Sequence, residues 1–177
     1  MANNTFKTAI LLFAVCLLTA CASRTERIER RTATVDNSKG TRNSTVSVQT
    51  GDPKKLVSPL LLLNNEDFKA SIEKSITRSK IFKGVIQGTT GDYLLEVRVI
   101  SGEQPLAGIT FPTNLEVIWI LTRVKDRKVI LSKIIFSEGD AGLGDSLIGG
   151  TRSLLALDRA VRENISLGLS AIAESDL

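Results

Sequence analysis

The chain has 177 residues, of which 42% are hydrophobic and 24% charged, and its formal net charge is +4. This length leaves room for one small domain after a leader is set aside. The excess of basic residues falls before Thr45, and the rest of the chain carries as many acidic as basic side chains. A neutral body with 5% aromatic residues argues against nucleic-acid binding. Because the chain has no His, it lacks the usual general base and metal ligand, and we predict no cofactor and no metal.

The first twenty residues have the pattern of a signal peptide. Lys7 precedes an apolar run, residues 8–18, that is too short to span a bilayer. The run leads into Leu18-Thr19-Ala20-Cys21, which resembles the lipobox of bacterial lipoproteins. The resemblance implies cleavage between Ala20 and Cys21 and covalent lipid on the Cys21 sulfur. The alternatives are an ordinary cleaved signal peptide and a buried helix that contains a cysteine.

Lipid on Cys21 would hold the protein on a membrane, since several acyl chains make such attachment effectively permanent. Ala22 and Ser23 follow the cysteine, where lipoproteins kept at the inner membrane commonly have Asp. The resemblance therefore implies the outer membrane, with the protein facing the periplasm. The inner membrane and a Gram-positive cell surface are the alternatives. Cys16 would leave with the leader, so the mature protein would have neither a free thiol nor a disulfide.

Residues 21–45 are predicted to form the lipidated Cys and a flexible basic tether. This segment has almost no large apolar side chains, and so it cannot bury enough surface to offset the entropy of ordering. Its basic residues are either solvated or rest on anionic headgroups or peptidoglycan carboxylates; they are Arg24, Arg27, Arg30 and Arg31. Their spacing also permits a short frayed helix.

Residues 46–177 are predicted to form a single domain that starts with a strand and a helix. Val46 and Val48 alternate with polar residues, which indicates a half-buried strand. The apolar residues 56–63 are interrupted by Pro59 and are predicted to be extended. Asn64 suits a helix N-cap. We expect this helix to run to about residue 82 and to end at Gly84. Its predicted inward stripe is Phe68, Ile72, Ile76 and Ser79.

Three strands and a long helix are predicted next, with the strands at residues 93–100, 115–124 and 129–137. The last two strands are almost continuously apolar, which favours central positions in the sheet. The helix is predicted from Thr151 to about Glu174, with Asp158 and Arg159 on its solvated side. Its predicted apolar stripe is Leu154, Leu157, Val161, Ile165, Gly168 and Ile172.

The predicted order is therefore β-α-β-β-β-α, and the fold class is α+β. An antiparallel sheet of about four strands, with both helices on one face, would bury both helical stripes in a two-layer arrangement.

The stretch between the third strand and the last helix is rich in glycine and is the candidate partner-binding loop. The residues of this candidate are Gly139, Asp140, Gly142, Gly144, Asp145, Gly149 and Gly150. The stretch lacks the Gly-Lys-Ser/Thr ending of a phosphate-binding loop and the spacing of a calcium loop. Ser146 and Ser153 are available nucleophiles, but no catalytic motif surrounds them. Trp119 is predicted to be in the core, with exposed ligand stacking as the alternative.

Three stretches together resemble a group of small predicted bacterial lipoproteins: residues 65–72, the strand pair 115–135 and the helical residues 152–165. The layout is similar to that of YajG-type outer-membrane lipoproteins. The resemblance rests on no catalytic motif and transfers no site residue.

The sequence supports three functional hypotheses. The first is a non-enzymatic, membrane-anchored envelope lipoprotein that is a scaffold or an auxiliary binding partner of an envelope or transport assembly. The second is a carrier of a lipid or another amphiphile between the sheet and the helices. The third is an envelope hydrolase or acyltransferase.

Overall fold

A computed structural model describes residues 23–51 and 63–176 of the chain. The leader, Cys21 and most of the predicted extended segment therefore lie outside the described residues. The elements, in chain order, are α1 (residues 23–31), β1 (Arg42–Gly51), α2 (Asn65–Ser79), β2 (Phe82–Val85), β3 (Tyr93–Glu103), β4 (Thr113–Arg123), β5 (Val129–Gly139) and α3 (Gly149–Glu174).

The five strands form one mixed sheet in the order β2-β1-β3-β4-β5. β1 is parallel to both of its neighbours, whereas β3, β4 and β5 are antiparallel. The α+β class is confirmed, but the predicted sheet of about four antiparallel strands is wrong. The difference arises because α2 is the crossover of a β-α-β unit, which makes β1 and β2 parallel.

The start of α2 is as predicted, and its end is not. The Asn64 side chain accepts hydrogen bonds from the N–H groups of Glu66 and Asp67. The helix ends at Ser79 because Lys80 adopts a left-handed conformation with φ 52°. The chain then forms β2, a strand of 4 residues that the sequence analysis merged into the helix, and Gly84 lies inside it.

The helix-facing side of the sheet and the inner faces of the helices form one core. Val48, Leu95, Val97, Val117 and Leu121 are fully buried. The predicted stripe of α2 is buried as well, and so is that of α3 apart from Leu154, which is exposed. The opposite face of the sheet has no helix over it among the described residues.

Trp119 is fully buried in the core, as predicted. Its Nε1–H donates to Asn164 Oδ1 at 2.9 Å. A Cβ atom at Gly168 would lie 2.5 Å from the indole ring, so α3 approaches β4 as closely as glycine allows. These contacts fill the layer between sheet and helix at this point.

β4 is central in the sheet, but β5 lies at its edge, which corrects the prediction for the last strand. Val129, Ile134 and Phe136 on β5 are exposed. The apolar run of β5 predicts burial on both faces of the strand. In the structure, Ile134 and Phe136 lie on the uncovered face of the sheet and β5 has a neighbour on one side only.

Residues 23–45, predicted as a flexible tether, are packed on the body of the protein in the structure, and α1 agrees with the permitted short helix. Arg31, Thr32 and Ala33 are buried. The N–H of Ala33 donates to Ser75 Oγ and that of Val35 to Ser79 Oγ, both at 3.0 Å. The segment therefore packs along α2 through polar contacts. A search for hydrophobic periodicity does not detect contacts of this kind. No helix among the described residues is long and apolar enough to cross a membrane.

Candidate anchoring and docking site

The two long helices begin at the same end of the sheet. Thr50, near the end of β1, donates to the Asn65 carbonyl at 3.2 Å, and Gln104, just after β3, donates to the Ser153 carbonyl at 2.8 Å. Residues 104–112, residues 140–148 and the first turns of α2 and α3 lie here, and we call this region the loop end. At the opposite end, Arg42 donates to the last carbonyl groups of α3.

α1 starts at the loop end and is held there by ion pairs with the first turn of α2. Arg24 Nε lies 2.7 Å from Asp67 Oδ1, and Arg27 Nε lies 2.9 Å from Asp67 Oδ2. Arg24 also pairs with Glu66 at 3.4 Å. The Asp67 side chain is buried, so its charge is neutralised by two guanidinium groups rather than by water.

The end of α1 is held by a second buried carboxylate, Asp158 of α3. Arg30 Nε lies 2.7 Å and Arg31 Nε 2.6 Å from its two oxygens. Burial lowers the pKa of the Arg31 guanidinium, and the Asp158 charge opposes that shift. Asp158 was predicted on the solvated side of α3. It is buried because the predicted tether covers it.

Glu29 adds an exposed contact between α1 and α2. It accepts hydrogen bonds from Lys74 and from Arg78, the latter at 2.5 Å. These two hydrogen bonds lower the pKa of Glu29 to about 2. The ion pairs with Asp67 and Asp158, by contrast, involve the four basic residues of the predicted tether, which are Arg24, Arg27, Arg30 and Arg31. These charges are therefore satisfied within the fold, without the alternative contacts to headgroups or peptidoglycan.

The residues of the candidate partner-binding loop are divided among three positions in the fold. Gly139 ends β5, where a Cβ atom would lie 2.4 Å from the Ala156 carbonyl oxygen. Gly149 and Gly150 begin α3. The others belong to the segment between them: Asp140, Gly142, Gly144 and Asp145.

Arg159 holds the acidic residues of this segment. It donates to the Asp140 carbonyl at 2.6 Å and pairs with the Asp145 carboxylate. The hydrogen bond from Arg159, and then that from the Gly142 N–H, lowers the pKa of Asp145. No group of three His, Cys, Asp or Glu side chains suited to a metal ion occurs among residues 23–51 and 63–176.

Arg152 joins the two loops, and the sequence analysis missed it. Its Nη1 donates to the Ser146 carbonyl at 2.9 Å and its Nη2 to the Gly108 carbonyl at 3.2 Å. The guanidinium also lies 5.4 Å from the centre of the Phe111 ring, within cation–π range. Arg152 is buried because it contacts both loops, one of which, residues 104–112, is distant in sequence. The local sequence around Arg152 therefore does not predict its burial.

The two candidate nucleophiles have structural partners. Ser146 Oγ accepts from the Ile148 N–H at 3.1 Å, and Ser153 Oγ donates to Gln104 Oε1 at 2.8 Å. In the part of the chain that the structure describes, neither hydroxyl is hydrogen-bonded to a basic side chain that could activate it.

Exposed aliphatic side chains are concentrated at the loop end. Leu147 is 86% exposed, Leu106 79% and Ile109 70%. Ile148 and Leu143 of the same region are also exposed. A second apolar surface lies on the uncovered face of the sheet, where Phe136 and Ile134 are exposed beside Ile118.

No family model matches the chain, and no curated protein matches it. Solved structures share its fold. Protein XCC0632 from Xanthomonas campestris, of family DUF330, is 14% identical with a TM-score of 0.60 over 80% of this chain and 92% of its own. Hypothetical protein CT253 from Chlamydia trachomatis is 8% identical with a TM-score of 0.55, over 75% and 96%. The PelC dodecamer from Paraburkholderia phytofirmans is 15% identical with a TM-score of 0.52, over 80% and 93%.

These likenesses establish the fold at low sequence identity. The resemblance to YajG-type lipoproteins stays a prediction from the sequence.

Proposed function

We propose that the chain is a non-enzymatic lipoprotein of the bacterial cell envelope. Lipid on Cys21 anchors it, and its folded body is a scaffold or an auxiliary binding partner of an envelope assembly. The observation that carries this proposal is the docking of α1 on two buried carboxylates, immediately after the lipobox-like sequence.

The docked α1 makes the attachment short. Only Ala22 lies between Cys21 and Ser23, the first residue of α1, so the two Cα atoms are at most about 7 Å apart. A free tether over the same 21–45 segment would instead allow a root-mean-square reach of about 25 Å. An acylated Cys21 would therefore hold the body against the bilayer with its loop end towards the membrane, which suits a protein that presents a surface rather than one that reaches for a distant target.

The arrangement of the core and of the serines supports binding rather than chemistry or transport. Ser146 and Ser153 serve in local hydrogen bonds and have no base beside them in the described chain. An amphiphile carried between sheet and helices would have to displace Trp119, which is hydrogen-bonded and packed against Gly168. The hydrolase and carrier hypotheses thus have less physical support than the scaffold.

Replacing the lipidated sulfur tests the anchor. The Cys21→Ser protein should keep its leader, incorporate no labelled palmitate and show no lipid in its intact mass. Cys16→Ser is the matched control, because this cysteine lies in the leader and should be removed normally. Palmitate incorporation by the Cys21→Ser protein equal to that of the natural chain would contradict the anchor.

The choice of membrane can be tested separately. We propose the outer membrane, because Ala22 rather than Asp follows the cysteine. On a density gradient the natural protein should sediment with outer-membrane markers, and Ala22→Asp should move it to the inner-membrane fractions. Ala22→Ser is the control and should stay with the outer membrane. Natural protein found in the inner-membrane fractions would refute the assignment.

Self-assembly is a second candidate for how the body acts. PelC, which shares the fold, forms a dodecamer, and β5 here is an edge strand with Phe136 exposed. An unpaired edge with apolar side chains is a surface on which a second copy can add. Native mass spectrometry of detergent-extracted protein should then detect an oligomer that Phe136→Ser dissociates and Leu167→Ser, an exposed change on α3, does not. If the natural protein is monomeric at all concentrations tested, self-assembly through β5 is excluded.

A further inference from the structure

The loop end has the surface of a membrane-inserting tip. Its two loops carry the three most exposed large aliphatic side chains of the described residues, Leu147, Leu106 and Ile109. Apolar side chains scattered singly need no explanation, but a group at one end of a molecule marks an interaction site. This group lies on two loops that Arg152 joins into one unit.

The two loops of the loop end carry few charged side chains. Residues 104–112 contain none, and residues 140–148 contain only Asp140 and Asp145. Arg159 pairs with Asp145, and the hydrogen bond and charge of Asp145, followed by the charge of Asp140, raise the pKa of Arg159. Because a charge moved out of water is costly unless it is paired, the uncharged residues 104–112 and 146–148 suit a lipid surface, with Asp140 and Asp145 left on its aqueous side.

Ile148 adds to the apolar surface at a cost to the stability of α3. It occupies the N-cap position of α3, where no side chain caps the helix and where Ser, Thr, Asp or Asn would stabilise it. The isoleucine side chain is exposed there. A residue that costs helix stability and points an aliphatic group outwards agrees with a role outside the fold.

The position of the proposed lipid anchor indicates which partner contacts the loop end. α1 begins at the loop end, where Arg24 pairs with Glu66 and Asp67 in the first turn of α2. Cys21 is two residues before α1, so its acyl chains would enter the bilayer within about 7 Å of that point. The bilayer that holds the lipid therefore lies against the end of the molecule that carries the exposed aliphatic side chains.

We infer that the loop end inserts Leu106, Ile109, Leu147 and Ile148 into the interfacial layer of the leaflet that holds the Cys21 lipid. The inference rests on the proposed lipid anchor. It means that the partner of the candidate partner-binding loop is a phospholipid surface. Burial of these side chains in the acyl boundary would add to the anchor and fix the body's orientation.

The test is a depth measurement on the lipidated full chain in nanodiscs of phosphatidylethanolamine and phosphatidylglycerol. Leu147→Cys introduces the only free thiol of the mature protein, to which a polarity-sensitive fluorophore is attached. Leu167→Cys is the control, since Leu167 is exposed but lies in the second half of α3, away from the loop end. We expect the Leu147 label to shift to shorter wavelength and to be quenched several-fold more by lipid-borne quenchers than the Leu167 label.

Each other outcome is informative. Equal, water-like emission from both labels on protein whose mass shows the lipid would overturn the insertion and leave the anchor intact. Shielding of the Leu147 label that needs no lipid and grows with protein concentration would identify a second copy as the occupant and overturn it too. A chain that carries no lipid by mass would refute the anchor, and this result is obtained before any label is attached.

Discussion

Arg31 and Asp158 form a buried ion pair between two segments that lie 127 residues apart in sequence. Both side chains are almost completely buried. A buried pair contributes little net stability compared with apolar residues, but removing one partner leaves an uncompensated charge in the interior. We therefore expect the pair chiefly to fix the register in which α1 docks between α2 and α3.

Asp158→Asn should destabilise the protein by about 3–5 kcal/mol, because it leaves Arg31 buried without a counter-charge. The substitution keeps the shape of the side chain, so packing changes little. Asp126→Asn is the control: Asp126 pairs with Arg123 on the surface, and its loss should be nearly neutral. Urea unfolding provides the comparison. Equal denaturation midpoints for the two variants would show that the buried pair does not hold the segment.

Gly168 is required by the close approach of α3 to Trp119. Gly168→Ala should cost about 1–3 kcal/mol, since the added Cβ overlaps the indole ring and forces β4 and α3 apart. Gly150→Ala, in the first turn of the same helix, meets no atom within 4 Å and should be neutral or slightly stabilising. Trp119 is the only tryptophan, so its fluorescence reports the disturbance directly. Unchanged emission and stability in Gly168→Ala would refute the close packing.

At the scale of elements, sequence patterns were informative wherever one element buries its own periodic face. The strand alternation from Leu95 to Leu121 and the stripes of α2 and α3 indicate the core directly, because each residue's neighbours on the same face are fixed by the helical or extended period. The Asn64 cap could be recognised for the same reason, since it depends on groups two and three residues away.

The elements that could not be predicted depend on remote partners. α1 docks through arginines whose carboxylates are on α2 and α3, and a segment rich in Arg and Ser has the composition of a disordered tether. β2 has only 4 residues and is a strand because it pairs with β1, where Phe82 lies opposite Arg42, a residue far earlier in the sequence. The aliphatic residues of the loop end can be seen in the sequence. Only the folded structure shows that they lie at the same end of the molecule as the start of α1.

Arg152 is predicted to hold the loop end together. Arg152→Ala removes donors to the Gly108 and Ser146 carbonyls and the contact with Phe111, so both loops should open more often. Amide hydrogen exchange should become faster in residues 108–111 and 145–148, with the sheet unchanged. Arg162→Ala, an exposed change on the same helix, is the control. Faster exchange throughout the chain would instead indicate general unfolding, and no change would show that the loops are held without Arg152.

At the scale of the whole molecule, α2 and α3 run parallel, with α1 between them and the loops at their common start. The docked segment and the exposed aliphatic side chains of the loop end therefore lie at one end, and the uncovered sheet face lies along the side. A body anchored as proposed would leave the sheet face free for a protein partner or a second copy. The two surfaces serve different contacts, and substitutions in one should leave the other intact.

Acid should weaken the folded body through exposed carboxylates. The pKa of Glu29 is lowered from 4.5 to about 2 by hydrogen bonds from Lys74 and Arg78, and the pKa values of Asp92 and Asp145 are also lowered, by Thr45 and Arg159 respectively. A group whose pKa is lower in the folded state contributes stability above its unfolded pKa and loses it as the pH falls through the folded pKa. Stability should thus be constant near neutrality and fall between pH 4.5 and about 2.

The measurement is the urea midpoint against pH, at low and at high salt. Because these pairs are exposed, each effect is small and should shrink with added salt. Glu29→Gln should reduce the dependence below pH 4.5. A midpoint that rises on acidification, or a Glu29→Gln protein with the full acid sensitivity, would contradict the contacts between α1 and α2. Since Glu29 lies on α1, the same titration followed by hydrogen exchange should show this helix leaving its groove before the sheet unfolds.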